Sequence, residues 1–65
     1  METRIRHKDL VSGGYNTFVT PQSLDAVVKA INAAVANNER WVRFKGTDGK
    51  KRGVVAEDVI LISEA

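Results

Sequence analysis

Asp48-Gly49, set between two alternating runs, constrains this chain more than any other feature. A tight turn that matches the twist of paired strands needs positive φ, which Gly adopts freely and Asp tolerates. The stretch from Trp41 to Ala56 is therefore predicted to be a β-hairpin, and two registers are open. With a two-residue loop, Lys45 faces Arg52, Arg43 faces Val54, Val42 faces Val55 and Trp41 faces Ala56. Opposed residues share a face, so Val42, Phe44 and Val55 point one way and Trp41, Arg43, Lys45, Lys50 and Arg52 the other. With a three-residue loop and Gly49 as the left-handed residue of a bulge, Lys45 faces Lys51 and Val54 replaces Val55 on the core side. Both registers collect cations around Trp41. Like charges opposed in a ladder are mildly destabilising, a cost that a bound anionic group would offset. The plainer reading is a solvated face whose lysines discourage edge pairing.

Little else in the chain stabilises a fold independently of its core. Its 65 residues make one small domain, spanning 1–65. A chain of this size buries only about 60% of the surface its unfolded form exposes, which leaves it marginal unless it binds or oligomerises. There is no cysteine and only one histidine, so neither a disulfide framework nor a structural zinc site is expected, and no cofactor is implied. A 43% hydrophobic and 28% charged composition argues against disorder. The net charge of +2 is modest, so the placement of charge matters more than its sum. No run is long and apolar enough to span a membrane, and the charged N-terminus lacks the apolar stretch of a signal peptide. The default location is cytoplasmic.

Residues 1–14 read as an N-terminal strand or arm, with Arg4, Arg6 and Lys8 on one side and Ile5 and His7 on the other. Leu10 falls on the basic side of that alternation, which leaves a bulged strand or a frayed arm open. Ser12-Gly13-Gly14 marks a turn. Tyr15, Thr17 and Val19 then alternate with Asn16 and Phe18, which leaves a short extended segment or a loop pinned by its aromatics open. Residues 20–38 carry the helix: Thr20 is the expected N-cap, Pro21 suits the first position, and Val19 and Leu24 are spaced for a hydrophobic staple. Leu24, Val27, Val28, Ile31 and Val35 form the expected apolar stripe. Asn37-Asn38 tolerate the left-handed conformation at a helix end. Residues 40–63 hold the hairpin, a break at Ala56-Glu57-Asp58, and a final strand from Val59 to Ser63. That strand's continuous apolar run suggests a central position or burial beneath another chain. The expected architecture is α+β: a small, mainly antiparallel β-sheet of three to five strands with one α-helix packed on one face.

The sequence holds no catalytic constellation. His7 sits between Arg6 and Lys8 and reads as a surface residue of a basic segment rather than a general base. Glu57 and Asp58 read as turn-shaping carboxylates. Ser12-Gly13-Gly14 lacks the lysine and the strand-to-helix context of a phosphate-binding loop. Two binding classes remain. A protein partner, such as an acidic surface, would dock on the Trp41 face or a sheet edge, since Trp and Arg are enriched at interface hot spots. A nucleic acid would be held by Arg4, Arg6, Lys8, Arg43, Lys45, Lys50, Lys51 and Arg52 with Trp41 stacking on a base. Those are eight of the ten cations, and they would merge into one patch if the N-terminal strand lay beside the hairpin. The small core and the Val59 to Ile62 run also raise homo-oligomerisation. No membrane partner is expected.

The pattern Trp41-Val-x-Phe, Asp48-Gly49 and Ala56-Glu-Asp-Val-Ile-x-Ile-Ser-Glu64 resembles the C-terminal part of short bacteriophage and prophage proteins. It spans about the last 25 residues, Trp41 to Ala65. The resemblance implies an accessory role, such as inhibiting or redirecting a host protein, or a small structural role in a virion. It carries no catalytic residues. The sequence thus points to a non-enzymatic binding protein acting through protein contacts, with nucleic-acid binding as the alternative.

Overall fold

The basic N-terminal segment forms a full strand and takes the centre of a sheet. In the computed structural model, which describes residues 1–65, β1 (Thr3–Lys8) lies between β2 (Tyr15–Thr20) and β5 (Val59–Glu64), antiparallel to both. Thr3, Ile5 and His7 face inward while Arg4, Arg6 and Lys8 are exposed, as the alternation predicts. Between β2 and β5 the chain builds α1 (Leu24–Ala36), β3 (Trp41–Lys45), β4 (Lys51–Val55) and a 3-10 turn over Ala56–Asp58. β3 and β4 pair only with each other, so the α+β architecture comprises a three-stranded and a two-stranded antiparallel sheet with one helix.

The inner faces of both sheets and one side of α1 share a single core built from Ile5, Phe18, Val27, Ala34, Val42, Phe44, Val54 and Ala56. The seams between the sheets are polar. Thr3 and Thr20 are paired neighbours in the β1–β2 ladder, and both are fully buried. The Thr3 hydroxyl donates to the Gln22 carbonyl and the Thr20 hydroxyl to the Lys45 carbonyl, each at 2.8 Å. A buried hydroxyl left without a partner costs about 1–3 kcal/mol, so the Thr20 bond fastens the hairpin to β2 and the Thr3 bond fixes the segment that leads into α1. The Thr47 N–H adds a bond to the Val19 carbonyl at 3.0 Å.

That docking moves the start of the helix. Thr20 is not the N-cap, because it belongs to β2, paired with Thr3, and the following proline keeps it extended. Ser23 caps instead, its Oγ accepting from the Ala26 N–H at 3.2 Å. Val19 faces outward beside Arg4, its ladder partner, rather than forming a staple with Leu24. The buried stripe is also rotated from the predicted one. Val27 and Ala34 are buried with Ala30 and Ile31 packed beside them, whereas Val28 and Val35 are exposed. Alanines at 30 and 34 take core-facing positions, and Val28 and Val35 lie on the exposed side of the helix. The helix ends as expected of Asn37-Asn38: Asn38 takes φ 57°, and the Asn38 and Glu39 N–H groups bond to the Val35 and Ala34 carbonyls.

The final strand is not central. β5 pairs only with β1 and forms a sheet edge. Its register with β1 shifts between Arg6↔Leu61 and His7↔Val59, leaving Ile60 as the extra residue of a bulge. Ile60 and Leu61 are consequently exposed while Val59 and Ile62 pack against the core.

Candidate functional site

The hairpin adopts the three-residue turn. The Gly46 N–H donates to the Lys50 carbonyl at 2.8 Å, Gly49 takes φ 82°, and the Asp48 carboxylate accepts from the Lys50 N–H at 3.0 Å. The ladder then reads Trp41↔Val55, Val42↔Val54, Arg43↔Gly53, Phe44↔Arg52 and Lys45↔Lys51. Val42, Phe44 and Val54 are buried, so Trp41, Arg43, Lys45 and Lys51 share the outer face. Arg52 does not join them. It shares the side of Phe44, lies 5.7 Å from the Phe18 ring centroid and forms a 2.9 Å ion pair with Asp48. Lys50 sits in the turn itself. The side chain of Val55 is buried, although its backbone faces Trp41 in the ladder.

Trp41 remains 59% exposed. A Cβ on Gly53 would sit 3.5 Å from its Cε3, so the indole lies against the glycine backbone with no side chain beneath it. Trp41 and the β1–β2 turn line one surface depression. A shallow groove of about 250 Å³ runs between them, with Leu10, Val11, Trp41, Val54 and Val55 as its apolar lining and His7, Lys8, Asp9 and Asp58 among the polar residues along it.

Leu10 and Val11 are 73% and 98% exposed, and the turn that carries them is tightly organised. The Asp9 carboxylate accepts from the Val11 N–H at 3.0 Å, the Ser12 hydroxyl at 3.0 Å and the Asn16 side-chain amide at 3.1 Å. The Asp9 backbone bonds to Gly13 and Gly14, and Gly13 takes φ 74°. These donors, led by the Val11 N–H, hold the Asp9 carboxyl below the usual carboxylate range. The Lys50 N–H and the Arg52 guanidinium do the same for Asp48. Leu10 and Val11 were absent from the residues singled out by sequence. The alternation suggested that the strand or arm continued through them, but β1 ends at Lys8 and both residues lie in the turn.

The remaining predicted cations lie elsewhere. Arg4, Arg6 and Lys8 occupy the outer face of the three-stranded sheet, and β1 pairs with β2 and β5 rather than with the hairpin. Each outer face points away from the shared core, so the eight cations do not form one patch. The guanidinium of Arg6 lies 5.1 Å from the Tyr15 ring centroid. His7 is half-buried on the inner side of β1: it meets Phe18 edge-on at 5.9 Å, and its Nδ1–H donates to the Lys8 carbonyl at 3.0 Å. No group of three His, Asp or Glu side chains gathers as a metal site, and no helix is long and apolar enough to cross a membrane.

Comparison with protein families, curated proteins and solved structures finds no match to this chain.

Proposed function

We propose that this protein is a non-enzymatic binding module that docks on a protein partner through the Trp41 face of its β3–β4 hairpin together with the β1–β2 turn. One observation carries the reading: a hydrogen-bonded turn holds Leu10 and Val11 in solvent beside an exposed Trp41, around a shared groove. Ordering a turn to present aliphatics to water has no stabilising return within the monomer. Covering them with a partner does, at about 1.5–3 kcal/mol for each large apolar side chain fully buried. The flanking Arg43, Lys45 and Lys51 have no carboxylate partner, which favours an acidic rim on the bound protein.

The C-terminal sequence resemblance adds the setting of a phage-type accessory protein acting on a host component. A chain without cysteine suits the reducing cytoplasm. The test is affinity capture from nuclease-treated bacterial lysate with the wild type, Trp41→Ala, and the Leu10→Ser/Val11→Ser double variant, followed by titration of the captured protein in purified form. Trp41→Ala should weaken that titration roughly thirtyfold or more, with little dependence on salt. Equal capture by all three proteins would sink the reading.

A further inference from the structure

The outer face of the three-stranded sheet has a different character from the Trp41 face. Along its centre run Arg4, Arg6 and Lys8, at every second residue of β1. Side chains at that spacing stand about 6.7 Å apart, comparable to successive phosphates of an extended single strand. Their ladder partners on the same face are Val19, Thr17 and Tyr15 from β2, with Ser63 and Leu61 from β5. No carboxylate is among them, and the molecule's one ion pair, Arg52–Asp48, lies elsewhere. Three cations thus stand in a row on a hydrogen-bonded sheet with no internal partner. Beside the row, Tyr15 is half-exposed, with Arg6 resting 5.1 Å from its ring centroid. A guanidinium held against a ring presents its donors in fixed geometry, while the ring keeps exposed surface on which a base can stack.

We propose that this face binds single-stranded nucleic acid, with Arg4, Arg6 and Lys8 on successive phosphates and Tyr15 stacking on an unpaired base. The pairing of a cation row with an adjacent aromatic is what single-strand recognition requires. A duplex keeps its bases out of Tyr15's reach, and this face offers no helix to enter a groove. The surface is separate from the Trp41 site, and the proposal stands whether or not the protein-docking reading holds.

The experiment is fluorescence anisotropy of a labelled mixed-sequence single-stranded 12-mer titrated with the full chain at several salt concentrations. A matched duplex and anionic phosphatidylserine vesicles serve as comparison arms. Three phosphate contacts on a single strand give a slope of log K against log salt of about −2, or roughly a sixteenfold loss between 50 and 200 mM. Each of Arg4→Gln, Arg6→Gln and Lys8→Gln should reduce that slope by about 0.7. Tyr15→Ala should weaken binding about tenfold, whereas Tyr15→Phe, which keeps the ring, should stay within about twofold of wild type. Trp41→Ala and Lys45→Gln should leave the affinity unchanged. All of these residues are exposed, and circular dichroism checks that each variant folds. Three results would overturn the proposal: no binding at 20 mM salt; binding abolished by Trp41→Ala or Lys45→Gln yet indifferent to the β1 cations; or equal affinity for single strand, duplex and vesicles with no response to Tyr15→Ala.

Discussion

The two hairpin turns share a backbone device and present opposite surfaces. In each, an aspartate accepts from the N–H two residues on, Asp9 from Val11 and Asp48 from Lys50, and a glycine takes positive φ, Gly13 at 74° and Gly49 at 82°. The β3–β4 turn carries Thr47 and Lys50, and its Thr47 N–H docks on the Val19 carbonyl. It serves the fold by fastening the hairpin to β2. The β1–β2 turn makes its hydrogen bonds internally and exposes Leu10 and Val11. Aspartate and glycine set the backbone in both. The residues between them separate a turn that closes the molecule from one that offers an apolar tip to something outside it.

Between the two turns, the larger expected effect falls on that tip. Leu10→Ser/Val11→Ser should weaken binding of the captured protein partner by about tenfold or more, while Thr47→Ala/Lys50→Ala should change the affinity less than about twofold, read by calorimetric titration. Equal losses from the two double variants would erase the contrast between the turns. Next come the glycines. At both Gly13 and Gly49 the space a Cβ would fill is open, with no atom within 4 Å, so alanine there meets only the backbone penalty. Gly13→Ala and Gly49→Ala should each cost about 1–2 kcal/mol, and each kcal/mol should lower the melting temperature by about 4–8 °C. A much smaller loss at Gly13 would mean that the first turn is not held as tightly as the second.

Removing the carboxylates should act more locally. Asp9→Ala should speed amide exchange at Val11 and Gly13 and leave β3–β4 protected, and Asp48→Ala should speed exchange at Lys50 with the β1–β2 turn undisturbed. The smallest effect is the pH dependence. Both folded carboxyls titrate below the unfolded aspartate value of about 3.9. Their contribution is therefore complete above that value and is lost as pH falls through the folded ones. The melting temperature should be insensitive to these two groups from neutrality down to about pH 5 and should decline below about pH 4. Asp9→Asn and Asp48→Asn should each flatten part of that decline.

Much of this contrast was visible in the chain. Asp48-Gly49 announced a turn through backbone sterics alone, and the alternation of Arg4, Arg6 and Lys8 with Ile5 and His7 assigned both faces of β1 before its neighbours were known. The register of the hairpin was not visible. Two- and three-residue loops place nearly the same local chemistry at the turn, and the choice is made by contacts distant in sequence: Thr20 to Lys45 and Thr47 to Val19. Arg52 follows from that choice, since one step of register carries it from the Trp41 face to the side of Phe44. The helix start depends on tertiary context in the same way, because Thr20 is held in β2 by its pairing with Thr3 and Ser23 caps α1 instead.

In the sequence Leu10 and Val11 read as the end of an N-terminal strand or arm; the structure places them in a turn, along the groove that Trp41, about thirty positions later in the chain, also lines. The apolar run of β5 misled, because composition does not distinguish a central strand from an edge strand with a bulge. The sequence by itself determined the α+β class, the turn at Asp48-Gly49, the helix termination at Asn37-Asn38 and the faces of β1, because period, propensity and allowed φ act over a few residues. Tertiary structure alone decided the hairpin register, the rotation of α1, the edge position of β5 and the groove that Trp41 shares with Leu10 and Val11. Each of these depends on which distant groups satisfy buried hydrogen bonds and fill the shared core.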